Sequence, residues 1–131
     1  MERNEKTRAL LAAFGCALAY LLAGKALTAF LPQVPEEATR MWAFVHRCAA
    51  APIVEELVFR GAIQQLARPL GERQAVALQA VLFAVQHRGP AGMAYALVCG
   101  LVLGTIRSRT GSVWPGMLLH TLNNLLVFAA G

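Results

Sequence analysis

The chain has 131 residues, of which 57% are hydrophobic and 15% charged, and its mean hydropathy is +0.52. This balance is well above that of an ordinary soluble domain, so we expect one small membrane domain over residues 1–131, embedded in a lipid bilayer. The net charge is +5, but the basic residues stand singly between apolar blocks. Such spacing is typical of membrane-protein loops, and we expect no nucleic-acid partner.

The first apolar block predicts an N-terminal transmembrane helix over residues 7–31, long enough to cross about 30 Å of hydrocarbon. A loop follows, and Pro35 with the two acids after it is expected to open the next helix. The helical pattern then runs over residues 38–69. Pro52 should kink or divide this helix because proline removes a backbone donor. A re-entrant turn at Pro52 is the alternative to a single crossing. Residues 38–130 together form the predicted helical core.

Two further helices are predicted before the last one. Residues 72–87 read as a helix of about 16 residues, which is short for a full membrane span. Gly89 and Pro90 are expected to break the chain before a helix that carries Gly100 and Gly104. These glycines have the small-xxx-small spacing that lets membrane helices approach closely, although the same spacing suits a helix that simply faces lipid.

A final helix, over residues 113–131, completes the predicted fold, an all-α polytopic transmembrane bundle of about five helices. If the N-terminus lies in the cytoplasm and residues 38–69 cross the bilayer once, most loop lysines and arginines fall on the cytoplasmic side. Because basic loops stay inside, this predicts an integral membrane protein with its N-terminus in the cytoplasm.

A few polar side chains interrupt the apolar helices. Ionisable groups are costly inside a bilayer, so those retained usually face the bundle interior. Glu56 and Arg60 lie four residues apart on one helix face and can neutralise each other. Glu55 lies about 100° round the helix from Glu56, so it is left as the candidate general base. The alternative is that both glutamates only bind Arg60 and donors on a neighbouring helix.

The last helix carries a second polar pair. His120 and Asn124 lie four residues apart, so together they can donate hydrogen bonds to an oxygen that becomes negative. At about 1.5 Å per residue, Glu55, His87 and Asn124 fall at roughly one depth in the bilayer. Asn123 points to a different face, where we expect it to hydrogen-bond another helix. A satisfied core histidine without a chemical role is the alternative for each ring.

Three segments resemble the motifs of a known family. "EELVFR" resembles EExxxR, "FAVQH" resembles FxxxH, and "HTLNN" resembles HxxxN, in that order along the chain. These motifs are those of the CAAX prenyl protease and bacteriocin-processing family, also called CPBP or Abi, of glutamic-type intramembrane endopeptidases. The matching segments lie within residues 55–124, which is roughly half of the chain.

The resemblance implies a peptidase and a role for each matching residue. Glu55 would activate water, His87 would help to position or deprotonate it, and His120 with Asn124 would form the oxyanion hole. Glu56 and Arg60 would shape and charge-balance the pocket. The implied substrate is a membrane-associated peptide or protein, prenylated or not, and no cofactor is required.

Alternatives remain at this stage. Glu55, His87 and His120 also form a plausible zinc ligand set, in which metal-bound water would be the nucleophile. A non-catalytic immunity or scaffold protein could keep the same residues for helix association. Because the chain is short for the family, a second copy or a helper subunit is a possible partner, with the face of Gly100 and Gly104 as a candidate contact.

Overall fold

The computed structural model describes residues 2–30 and 35–131, and these ranges are helical almost throughout, without a β-strand. The helices are α1 (Glu2–Phe30), α2 (residues 36–66), α3 (Glu72–Ala84), α4 (Gly89–Thr110) and α5 (Trp114–Ala130). A 3₁₀ turn at Arg68–Leu70 joins α2 to α3. The predicted all-α fold of five helices is confirmed, while residues 31–34 of the predicted first loop lie outside the described residues.

Helix α1 packs on the bundle through a narrow stripe. Ala9, Ala13 and Ala17 are buried at a spacing of four residues, whereas most other side chains of the helix are exposed. The helix contacts the turn at Arg68–Leu70, its buried residues all precede Tyr20, and Tyr20 meets Phe59 edge to face at 5.5 Å. Helix α1 therefore runs antiparallel to α2. Among the described residues, α1 and α4 are the helices long and apolar enough to cross a membrane.

Helix α2 passes through Pro52 without a break. Two π-helical segments, His46–Ala50 and Glu56–Ile63, flank a short α-helical segment, Ala51–Glu55. The N–H of Ala51 donates to the carbonyl of His46, five residues back. The wider π turn ahead of the proline accommodates the missing donor. The expected division at Pro52 is therefore wrong, and the backbone follows one continuous path rather than a re-entrant turn.

Helices α3 and α4 form the most extensive helix pair, and small residues allow it. A Cβ atom added to Gly100 would lie 2.9 Å from the Cα atom of Ala80, and one added to Gly104 would lie 3.1 Å from a Val76 methyl group. Both glycines are buried. The small-xxx-small face is thus covered by α3 of the same chain, so the candidate contact with a second copy through this face is not available.

The break before α4 lies elsewhere than predicted. Helix α3 ends at Ala84, and His87 lies in the following turn, where its N–H donates to the carbonyl of Ala84 at 3.0 Å. Helix α4 already begins at Gly89, so Pro90 lies in its first turn. Proline is tolerated there because the first backbone N–H groups of a helix have no intrahelical partner. The prediction that Pro90 precedes the helix is wrong.

We expect Gly100→Ala to destabilise the protein by about 1–3 kcal/mol, because the new methyl group would force the α3 and α4 backbones apart. Gly24→Ala in α1 is the matched control, since nothing lies within 4 Å of its added Cβ, and it should be neutral or slightly stabilising. Thermal unfolding of both variants in one detergent measures the difference. Equal melting temperatures would contradict the close α3–α4 contact.

Candidate active site

A cavity of about 810 Å³ opens between α2, the turn after α3 and α5. Four of the candidate residues line it together, namely Glu55, His87, His120 and Asn124. Arg40, His46 and Arg47, from the first half of α2, line it as well. The structure thus brings the residues of three separate sequence segments to one water-accessible space, and it adds a basic wall that the motifs do not contain.

Glu56 and Arg60 lie beneath this cavity, fully buried. The Oε1 atom of Glu56 is 3.1 Å from Nη1 of Arg60, and both side chains are 0% exposed. The two groups form an ion pair without a hydrogen bond, because no Arg60 nitrogen meets hydrogen-bond geometry. The guanidinium carbon also lies 4.5 Å from the centre of the Phe83 ring, which adds a cation–π contact. Arg60 is thus held by one carboxylate and one aromatic face.

His120 joins the two glutamates. Its Nδ1 atom is 2.9 Å from Oε1 of Glu56, and its Nε2 atom is 3.5 Å from Oε2 of Glu55. A carboxylate paired with Arg60 only accepts hydrogen bonds, so Nδ1 carries a proton and donates it to Glu56. The contact to Glu56 was missed by the sequence analysis, because nothing local connects two residues that are 64 positions apart.

Gly116 makes room for this arrangement on α5. A Cβ atom at Gly116 would lie 2.8 Å from Oε2 of Glu56. Any larger residue at position 116 would therefore require the Glu56 carboxylate to shift, and the glycine leaves room for α5 to approach α2 where His120, one turn later, reaches Glu56. The sequence contains a signal for this approach in the Trp114-Pro115-Gly116 start of the helix, but the partner of the glycine could not be inferred from it.

Glu55 differs from Glu56 in its surroundings. Its side chain is 20% exposed and lines the cavity, whereas that of Glu56 is fully buried. Its separation from His120, 3.5 Å, is longer than a strong hydrogen bond. Glu55 therefore retains a carboxylate oxygen that a water molecule or a substrate can reach. This agrees with the sequence argument that separated the two glutamates by their helix faces.

His87 is oriented by the residue one turn before it. Its Nδ1 atom lies 3.0 Å from the carbonyl oxygen of Phe83, and a carbonyl oxygen only accepts, so Nδ1 donates and Nε2 of the neutral ring is left as an acceptor. The His87 ring also packs edge to face on Phe83, with 4.7 Å between ring centres. Phe83 meets His120 in the same way at 5.8 Å. One aromatic ring thus positions both histidines.

Asn124 links α5 to the first π segment of α2. Its Nδ2 atom donates to the backbone carbonyl of Arg47 at 2.8 Å, which uses one of its two N–H groups. Its Oδ1 atom accepts from Nδ2 of Asn123 at 3.3 Å. Within residues 2–30 and 35–131 no acceptor meets the second N–H group of Asn124, which is therefore available to the cavity. Asn123 also binds the hydroxyl of Tyr95 on α4, which confirms its predicted contact with another helix.

The zinc alternative concerns residues around this cavity. Within residues 2–30 and 35–131, no group of three or more histidine, cysteine or acidic side chains is placed so that it could hold a metal ion. Its three proposed ligands, Glu55, His87 and His120, line one cavity but are not gathered into a coordination set.

Comparison with known families identifies the chain. The family described as type II CAAX prenyl endopeptidase Rce1-like matches residues 37–126, which is more than half of the sequence and includes all six candidate residues. The chain belongs to this family. Because the family consists of proteases, membership indicates a peptidase of the CAAX type, and the two long apolar helices agree with a membrane protein. No curated protein sequence and no solved structure matches the chain.

We expect Arg60→Met to lower the free energy of unfolding by about 3–5 kcal/mol, because it leaves the buried carboxylate of Glu56 without its cation. Adding Glu56→Gln to this variant should recover part of the loss, since it removes the unpaired charge. Denaturation in detergent measures each variant against Arg109→Met, an exposed arginine near the end of α4. Losses that simply add in the double variant would contradict the ion pair.

Proposed function

We propose that the chain is an intramembrane endopeptidase in which Glu55 activates water to hydrolyse a peptide bond of a membrane-associated peptide or protein. The observation that carries the proposal is the division between the two adjacent glutamates. Glu56 is buried and engaged by Arg60 and His120, whereas Glu55 lines the cavity with a free carboxylate oxygen. A general base needs this access to the proton that it removes.

His87 supplies the second contact for the water molecule. Because its Nδ1–H is engaged by the carbonyl of Phe83, its Nε2 atom presents a lone pair. A water molecule that donates one hydrogen to Glu55 and the other to His87 has a lone pair free for attack. His87 in this role orients the nucleophile, and Glu55 takes the proton.

Hydrogen-bond donors for the developing oxyanion come from α5. The unused N–H group of Asn124 is one donor. His120 is the other when its ring is an imidazolium, because Nδ1 already donates to Glu56 and only a second proton makes Nε2 a donor. Donors aimed at a site where negative charge develops stabilise the transition state.

The reaction balances with these groups alone. Glu55 accepts a proton from water as the water oxygen bonds to the carbonyl carbon, and the carbonyl oxygen becomes the oxyanion held by His120 and Asn124. The tetrahedral intermediate collapses as the C–N bond breaks, and Glu55 returns the proton to the departing amine. The products are a new carboxylic acid, which releases its proton to solvent, and a new amine, and no cofactor is required.

The location of the cavity suggests the side of the membrane from which a substrate enters. The start of α1, the turn at Arg68–Leu70 and the end of α4 lie at one end of the bundle, where Ser108 donates to Glu72. Most basic loop residues belong to this end, and we propose that it faces the cytoplasm of a bacterial cell with the N-terminus inside. The cavity, with Arg40 and Arg47, then opens toward the opposite side. A second copy or a helper subunit is proposed as a partner that completes substrate access.

Glu55→Gln should abolish cleavage in cells while leaving the fold intact, because it keeps the shape of the side chain and removes the base, a loss of about 10²–10⁴ in rate. Comparative peptidomics of membranes from cells with the wild type, Glu55→Gln and the exposed control Glu5→Gln checks this and reveals the substrate. Peptides that disappear only in Glu55→Gln support the proposal. An unchanged peptide set and cellular phenotype would point instead to an immunity or scaffold protein.

Asn124→Ala should reduce kcat by about 10²–10³ through the loss of an oxyanion donor. Because Asn124 also binds the carbonyl of Arg47, its unfolding must be measured beside its kinetics, with Asn4→Ala on the exposed start of α1 as control. The substrate is a synthetic peptide that spans the cleavage site found in the membrane comparison. A kcat within twofold of the wild type would remove Asn124 from the proposed oxyanion hole.

A further inference from the structure

A chain of hydrogen bonds runs from the exposed Tyr95 of α4 to the cavity. The hydroxyl of Tyr95 donates to Oδ1 of Asn123, Nδ2 of Asn123 donates to Oδ1 of Asn124, and Nδ2 of Asn124 donates to the carbonyl of Arg47. The last two distances are 3.3 Å and 2.8 Å. The chain crosses three helices, α4, α5 and α2, and only Asn124 and Arg47 line the cavity among its members.

The direction of every bond follows from the last one. The carbonyl of Arg47 can only accept, so the amide nitrogen of Asn124 must face it. The oxygen of Asn124 then faces Asn123 and requires a donor, which fixes the nitrogen of Asn123 on that side. The oxygen of Asn123 is left toward α4, where the Tyr95 hydroxyl donates to it. No amide in the chain can turn over without placing two donors or two acceptors against each other.

We propose that Tyr95 and Asn123 are positioning residues that restrict the movement of the Asn124 amide, whose direction the Arg47 carbonyl sets, so that its second N–H group stays aimed into the cavity. The inference rests on the proposed role of Asn124 as an oxyanion donor. If the amide turned over, its oxygen would meet both the carbonyl of Arg47 and the developing oxyanion, and the donor would be lost. Neither Tyr95 nor Asn123 occupies a defined position of the three sequence motifs.

The contribution of Tyr95 to stability is small, so its positioning role can be measured separately from a structural role. Its side chain is about half exposed, and a hydroxyl at such a position adds little to folding. Asn124, in contrast, is partly buried beside the cavity. Removal of the Tyr95 hydroxyl should therefore act on the orientation of an amide two links away rather than on the packing of the bundle.

Tyr95→Phe should lower kcat by about threefold to tenfold, the factor expected for one neutral hydrogen bond, and leave KM unchanged. The control is Thr105→Val, which removes another hydroxyl from α4, one that donates to the carbonyl of Leu101 at 2.7 Å within the same helix. This variant should keep the kcat of the wild type. The assay uses the full chain in detergent micelles and the synthetic peptide defined above.

A double-mutant cycle decides whether Tyr95 acts through Asn124. In an Asn124→Ala background, Tyr95→Phe should cause no further loss of kcat, because the group that it positions is absent. An equal factor in both backgrounds, or no effect in the wild type, would overturn the proposal. If Asn124→Ala itself keeps full activity, the oxyanion role fails and the positioning role falls with it. If Asn124→Ala is impaired and Tyr95→Phe is not, only the positioning role fails.

A measurement without substrate reports on the same link. The chain contains three asparagines, Asn4, Asn123 and Asn124, so ¹⁵N-asparagine labelling gives a small set of side-chain amide signals. Tyr95→Phe should shift the signals of both Asn123 and Asn124 and speed their hydrogen exchange, whereas Thr105→Val should not. Unchanged Asn124 signals in Tyr95→Phe would overturn the proposed chain of contacts, whatever the activity of the enzyme.

Discussion

Glu56 and Arg60 bring opposite charges into a position with no solvent exposure, where either charge alone would cost several kcal/mol. Their pairing also determines the position of neighbouring groups. The same carboxylate oxygen accepts the Nδ1–H of His120, so α5 is held against α2 at this point. A glycine at position 116 leaves room for this approach, and Phe83 packs against the guanidinium of Arg60. The rest of the site is built on this buried cluster.

The cluster determines what each surrounding group can do. Because Glu56 is committed to Arg60 and His120, Glu55 is the carboxylate left for chemistry in the cavity. Because Nδ1 of His120 is committed to Glu56, its Nε2 atom is the ring nitrogen that faces Glu55. Phe83 binds Nδ1 of His87 through its carbonyl and packs on the imidazole through its ring. The imidazole of His87 therefore also has its Nε2 atom free. The π-helical segments of α2 on either side of Glu55 place the second glutamate and the Arg47 carbonyl in register with α5.

The sequence predicted the parts that depend on local spacing. The pairing of Glu56 with Arg60, the separate position of Glu55 and the contact of Asn123 with another helix follow from helix periodicity, and the structure contains each of them. The close packing at Gly100 and Gly104 also agrees with the pattern, although α3 rather than a second copy covers that face. What could not be predicted depends on distant residues or on backbone irregularity. The bond from His120 to Glu56 joins separate helices, and the π turn that accommodates Pro52 has no signature in side-chain periodicity. The end of α3 at Ala84 could not be predicted either, because no glycine or proline lies between Ala84 and His87.

The central claim is that Glu55 acts on water and not directly on the peptide bond. A single turnover with enzyme in excess, in ¹⁸O-labelled water, tests it most directly, followed by mass spectrometry of the product and of the Glu55-containing fragment. If Glu55 activates water, one ¹⁸O atom enters the new C-terminal carboxylate and none enters Glu55. An unlabelled product with ¹⁸O in the carboxylate of Glu55 would show a covalent intermediate and would contradict the account.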